Sequence, residues 1–409
     1  MARTPATLPA GSRITDYISL GVIAKYFPLA KVRDVLLETK RASIRERELP
    51  AHVVVYYVIA LALYSNSSYR EVLRCLLEGL EWLMGPASTI KVTGKSGISQ
   101  ARSRLGAEPM RLLYDAVVAP VAGQRTKGAW YRKWKLVTLD GSTLDVADTA
   151  ENEQAFGRPG ASQGIAAYPK IRFVALLENG THVLWAARMG HFHLDELKLA
   201  AEVVPALRPG MLCLADRLYP GYDLWHKAAE TGAELLWRVR RNFPFPVDRR
   251  LPDGSYLSHI SPSTRSKTSG PPLLVRVIEY RMKDLAGAEP IYRLVTTIPD
   301  PDLAPAQELA ALYHERWEIE TALDELKTHL RGAQIVLRSK TPELVEQEFY
   351  GLLMAHFAIR GLMHEAALQA DEDPDRISFT HAVRVVGRRM PRWGAISPSG
   401  QESFSSKDS

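Results

Sequence analysis

Cysteine is nearly absent: two among 409 residues. Cys75 and Cys213 lie far apart in apolar settings, LRCLL and MLCLA. No Cys-x-x-Cys and no Cys/His cluster occurs, so a zinc site is not expected, and both residues read as small buried hydrophobes in a reducing compartment. Long apolar runs are also missing. The longest, HVVVYYVIALALY, covers only 52 to 64, too little to span a bilayer and suited to a buried helix. The opening MARTPATLPAG is not followed by a signal-type apolar core. The expectation is a cytoplasmic protein with no membrane association. No internal repeat is present.

What is present is ample apolar material, 46% of residues, enough for a sizeable core and two or three domains. The formal charge is +6. A surplus of this size fits a polyanionic partner such as nucleic acid, and fits a merely basic soluble protein equally well.

Residues 1–130 carry helical spacing, as in ITDYISLGVIAKYF, LAKVRDVLLET and KSGISQARSRLG, with Ser68 placed to cap one helix. Near 134 the pattern changes. KLVTLDGSTLDVAD reads as a strand, IRFVALLENGTHVLWAARMG as a hairpin and DELKLAAEVVPAL as a helix. MLCLA reads as a buried strand, and ELLWRVRRNFPFPV, LLVRVIEY and IYRLVTTIP as further strands. Helices return with AQELAALYHERWEIETALDELKTHL and PELVEQEFYGLLMAHFAIRGLMHEAALQ, and the polar tail 396–409 is expected to be disordered. This order predicts an α/β core (131–235 and 301–395) interrupted by a β-rich insertion (236–300) and preceded by an all-helical region (1–130).

Two apolar strands each end in an aspartate: KLVTL in Asp140, MLCLA in Asp216. In open α/β sheets that edge is where ligands bind. Glu320 lies on the returning helix, with Tyr313, Arg316 and Lys327 spaced to share its face. Converging carboxylates repel one another unless cations neutralise them, and hard divalent ions, Mg²⁺ above all, do so. Arg316, Lys327 and the Tyr313 hydroxyl could then grip phosphates. Taken singly, each acid is as well explained as a solvated cap, and the stripe as helix ion pairing. On the same helix Glu318, Glu325 and His314 read as solvated background, and Trp317, Leu323 and Leu326 as core.

The pattern Tyr-x2-Arg-x3-Glu-x6-Lys resembles the signature of DDE transposases of the insertion-sequence-four type, the cut-and-paste group. Similarity runs over nearly the whole chain: SGISQARSRLG near the end of the N-terminal helices, LDGSTLDVADTAENEQAFGRPG around the first aspartate and LADRLYPGY around the second. LLWRVRRN and LPDGSYLS match the β insertion, and HERWEIETALDELKTHLRG followed by VLRSKTPELVEQE the third acid. The resemblance implies a ribonuclease H-like core in which Asp140, Asp216 and Glu320 bind two Mg²⁺ or Mn²⁺ ions. It implies hydrolysis at the ends of an insertion element, strand transfer by the freed 3′ hydroxyl, double-stranded DNA as partner and a homodimeric synaptic complex at the nucleoid. Because some relatives pass through a hairpin end with a flipped base, Trp237, beside Arg238, is the candidate stacking platform; a core Trp on a strand is the equal alternative. The chain ends soon after the last helices, so a large pairing domain found in some relatives is expected to be short or missing.

Asp145 falls on the opposite strand face and Asp148 in a turn, which excludes both as ligands. His191 and His193 in GHFHLDE lack a third soft ligand, and Asp195 reads as a helix cap. Arg217 is either a phosphate contact or an ion-pair partner. Arg102 and Arg104 lie on a short polar helix that either reads DNA or is merely solvated. Arg384, Arg388, Arg389 and Arg392 form either a non-specific DNA patch or a solvated basic end. Three rival functions are a metal-dependent nuclease without strand transfer, a catalytically silent DNA-binding protein from a decayed element and, more distantly, a glycosidase with paired carboxylates.

Overall fold

The computed structural model describes residues 18–43, 49–63, 68–74, 76, 94–161, 164–165, 168–262, 266, 268–281, 291–330 and 336–383. Cys75, the arginine cluster from Arg384 to Arg392 and the tail 396–409 lie outside the described residues.

The N-terminal helices are α1 (Ile18–Tyr26), α2 (Leu29–Glu38), α3 (Ala51–Leu63), α4 (Lys95–Leu105) and α5 (Glu108–Val117). Helix α3 is apolar on every side and buried from Val53 to Ala62, as a helix must be when neighbours surround it. At Ser68 the side chain accepts from the Glu71 amide at 3.2 Å, the capping contact its position suggests.

The centre is one large sheet. Its strands are β1 (Trp130–Tyr131), β2 (Trp134–Val146), β5 (Lys170–Glu178), β6 (Val183–His191), β7 (Met211–Ala215), β8 (Glu234–Arg238), β9 (Arg249–Arg250), β10 (Tyr256–Ile260), β11 (Leu273–Tyr280), β12 (Tyr292–Thr296) and β13 (Val336–Leu337). A small separate pair is β3 (Gly160–Ala161) with β4 (Gly164–Ile165). The order across the sheet is β6-β5-β2-β7-β8-β12-β11-β10-β9. Strands β2, β7 and β8 run parallel; β5 is antiparallel to β2, and β6, antiparallel to β5, runs the same way as β2. The expected insertion does not stand apart: β12 pairs directly with β8, and β8 itself crosses the expected boundary at residues 235 and 236.

Alternation along β2 divides the two faces. Leu136 packs with Leu212, Leu214, Leu309 and Tyr313, while Val137 and Leu139 join the larger core. Helices α6 (Ala150–Phe156), α7 (Glu196–Val203) and α8 (Tyr222–Ala229) follow the strands, and Asp195 caps α7 through the Leu197 amide.

The expected single helix after residue 305 is broken into pieces. Helix α9 (Ala306–Leu312) leads into a 3-10 turn (Tyr313–Trp317), then α10 (Glu318–Asp324) and a π turn (Glu325–His329). The last long helix, α11 (Pro342–Ala370), lies against α3. A Cβ on Gly351 would come within 2.8 Å of the Val58 carbonyl, so only glycine permits that crossing. Val53, Leu61, Phe349 and Leu352 therefore belong to one core, and the N-terminal helices share it.

Candidate active site

Asp140 does not end its strand. Strand β5 pairs with β2 from Val137 to Asp145 and carries it onward. What ends at Asp140 is the pairing on the other side: β7 stops at Ala215, opposite Leu139, and β13 joins β2 only at Asp145 and Val146. The interval leaves one edge of β2 open, with Asp140 at its start. Asp216 follows β7 immediately, and its Oδ1 accepts from the Leu218 amide at 2.7 Å.

Arg316 joins two of the acids. Its Nη1 lies 3.3 Å from Asp140 Oδ2 and its Nη2 3.5 Å from Glu320 Oε1. Asp216 acts on both Asp140 and Arg316 through its charge. The Asp140 carboxyl is pushed up to about 6 by burial and by the charges of Asp216 and Glu196, against the pull of the Gly141 amide and Arg316. Burial draws the Lys327 ammonium below its ordinary range, opposed by Asp324, Asp140 and Asp145. The structure thus joins Asp140 and Glu320 through Arg316, with Asp216 and Lys327 near enough for their charges to be felt there.

Tyr313 is placed otherwise. It is buried, and its hydroxyl donates to the Ala215 carbonyl at 3.3 Å. It buttresses the end of β7 and does not face outward towards a phosphate. The 3-10 turn revises its neighbours too, because a 3-10 turn spaces side chains differently from an α-helix. Trp317, expected in the core, is 58% exposed, with the Arg316 guanidinium 5.7 Å from its ring. Glu318 and Glu325, expected in solvent, are buried. The Gly180 amide donates to Glu318, and Glu325 accepts from Arg360 and faces His356.

Of the remaining expected DNA contacts, Trp237 is fully buried with its ring edge-on to Trp225. It is a core residue with no face for a base, because β8 lies inside the sheet. Arg102 is 3% exposed and donates to Gln347, Ser339 and the Leu344 carbonyl; it ties α4 to α11 and cannot reach DNA. Arg104 and Arg217 are exposed. Arg238 is half-buried with its guanidinium 4.6 Å from the Tyr292 ring. Asp145 pairs with Lys170 and Asp148 with Arg158.

Two residues of the centre, Glu196 and Arg172, had no motif to announce them. Glu196 accepts from Tyr219 Oη at 2.6 Å and from Arg172 Nη1 at 3.1 Å. In the sequence Glu196 is simply the acid after a helix cap, and only the packing of α7 on the sheet reveals its place. Among the described residues the group of three whose ligand atoms all lie within 4.8 Å of one another is His182, Glu318 and Asp375. Its charges are already met internally: His182 Nε2 lies 2.7 Å from Asp375 Oδ1, and Arg360 contacts both His182 and Glu325.

The N-terminal family described as insertion element 4 transposase matches residues 17–115, and the transposase DDE domain matches residues 133–358. Over 371 residues the chain is 28% identical to transposase InsG of insertion sequence element IS4 from Escherichia coli, covering 89% of this chain and 81% of that protein. The putative transposase InsZ of the same organism is 25% identical over 221 residues, 54% of this chain and 71% of InsZ. A piggyBac transposase synaptic complex with hairpin DNA aligns at TM-score 0.47 with 12% identity, over 97% of this chain and 86% of that one. With two family matches that leave only a short gap between them, and a relative alike along most of its length, the chain belongs to the DDE transposases of the IS4 type.

Proposed function

We propose that this transposase binds the terminal inverted repeats of an insertion element, cleaves its ends by divalent-metal-dependent phosphodiester hydrolysis, and joins the freed 3′ hydroxyl to target DNA. The observation that carries the reading is the convergence of Asp140, Asp216 and Glu320 on Arg316 at an open stretch of sheet edge. The strand order β6-β5-β2-β7-β8, with only β5 antiparallel to the other four, supports a ribonuclease H-like core. The helices matched to the IS4 N-terminal family, with exposed Arg104, are the part proposed to recognise DNA, and Arg217 and Arg238 are further candidate contacts. The working form is proposed to be a homodimer, acting in the cytoplasm on nucleoid DNA.

The donor set fits hard cations. It is all carboxylate, and burial, helped by the charges of Asp216 and Glu196, already raises the Asp140 carboxyl. Asp140, Asp216 and Glu320 would hold Mg²⁺ or Mn²⁺, two ions per site; when bound, such ions activate an attacking oxygen and stabilise a leaving one. The chain's own groups do the rest. Tyr313 fixes the end of β7 and so the start of Asp216. Arg316 keeps Asp140 and Glu320 from repelling each other and is placed to hold a phosphate beside them. Lys327 adds a positive charge whose field reaches Asp140. Trp317 offers an exposed ring at the rim, suited to stacking with an unpaired base.

Asp216→Ala is expected to abolish cleavage of an end-containing duplex in Mg²⁺ while gel-shift binding to that duplex persists; cleavage at the wild-type rate would end the reading. Supplying pre-cleaved ends tests joining separately, and hydrolysis without joined product would leave a nuclease instead.

A further inference from the structure

We infer that Glu196 is a fourth carboxylate of the acid centre, a positioning residue that fixes the segments bearing Asp140 and Asp216 and strengthens divalent-ion binding there. The inference rests on the proposed reading of that centre and goes beyond its three acids.

One side chain touches both segments. A Cβ on Gly141 would fall 2.5 Å from Glu196 Oε1, so the carboxylate lies against the backbone just after Asp140, and glycine is what lets it approach. The same oxygen accepts from Tyr219, three residues beyond Asp216, at 2.6 Å. Tyr219 is 1% exposed and feels the charges of Asp140, Glu196 and Asp216 together. Arg172 holds the other oxygen, at 3.1 Å, and its Nε donates to the Phe192 carbonyl at 3.0 Å. The carboxylate is therefore oriented from two sides and only 15% exposed. Helix α7 delivers it and α10 carries Glu320, so two separate helices supply an acid to one edge. Groups that orient the ligands of a metal change ion affinity by about 10- to 100-fold when removed.

The test is Mn²⁺ binding to the full chain without DNA, read from the free-ion signal in electron paramagnetic resonance. Glu196→Gln keeps the shape and the acceptor for Tyr219 but loses the charge; Glu196→Asp keeps the charge on a shorter arm. The expected result is an affinity lower by about 10- to 100-fold in Glu196→Gln, a smaller loss in Glu196→Asp, and an unchanged melting temperature in Glu196→Gln. A merely structural acid would give the reverse order, and that order overturns the inference. Gly141→Ala, which forces the carboxylate away, is expected to lose affinity as well and serves if Glu196→Asp folds poorly. Asp216→Asn separates the two levels of argument. If it abolishes binding while Glu196→Gln matches wild type, Glu196 alone is struck out. If neither substitution matters, the acid centre itself falls and this inference with it.

Discussion

Asp140 shows how much one residue's surroundings change it. Its carboxyl ionises near 6 in the folded chain against 3.8 when free, so between those values the folded state holds a proton that the unfolded state has lost. Stability of the cation-free protein therefore falls as pH rises through that window, and the cost is complete above it. Asp140→Asn is expected to be more stable than wild type at pH 8 by about 2–3 kcal/mol, the difference vanishing below roughly pH 4; thermal melts in chelator across this range check it. The two arginines first considered for DNA separate in the same way. Arg102 makes buried hydrogen bonds to three residues of the segment leading into and along α11, and Arg102→Ala should cost about 2–3 kcal/mol of stability in urea unfolding. Arg104→Ala should change stability by less than about 0.5 kcal/mol, and any effect on DNA binding should appear as a shallower salt dependence. Their positions two apart on α4 turn one inward and the other outward, a fact of rotation that composition does not carry.

Elements decide where such residues point. The stretch after Pro305 has the spacing of a continuous helix, yet it contains a 3-10 and a π turn. Irregular turns of that kind commonly mark functional sites. Here they put Tyr313 under the end of β7, Trp317 in solvent and Glu318 and Glu325 in a buried network with His182, Arg360 and His356. Helical spacing alone led to the wrong side for Trp317 and Glu318, because it assumes one rotation per residue throughout. The crossing of α3 and α11 has an equally local cause. Gly351→Ala places a methyl group 2.8 Å from the Val58 carbonyl, a backbone atom that cannot swing away. The expected loss is about 1–3 kcal/mol, read by thermal denaturation. A gain, as helix propensity alone would give, would show that the helices can part.

At the scale of the molecule, two expected regions are continuous with the rest of the fold. The strands of 236–300 extend the central sheet, and the helices of the first 130 residues share their core with α11, more than 200 residues later. A fragment of residues 1–130 leaves the apolar faces of α3 without α11 and is expected to show little cooperative melting by circular dichroism; a sharp transition would restore the independent domain. Ligand linkage supplies a second whole-chain expectation. Mg²⁺ should raise the melting temperature of the wild-type chain in a concentration-dependent way and leave a variant lacking Asp140 and Asp216 nearly unchanged. Among the described residues no helix is long and apolar enough to cross a membrane, which agrees with the short apolar run that defines α3.

The sequence by itself determined the succession of helical, mixed and helical regions, the two strand-borne aspartates, the glutamate with its arginine and lysine, and the family. All of these are local spacings or residue types, and periodicity reports them directly. Only the tertiary structure decided that Glu196 stands with the acids, that Trp237 and Arg102 are interior, that Tyr313 is a buttress and that the β insertion continues the central sheet. Those outcomes depend on which faces meet across long separations. Burial and charge arise from neighbours brought together by packing, and a linear pattern contains no record of them until the sheet order and the helix rotations are set.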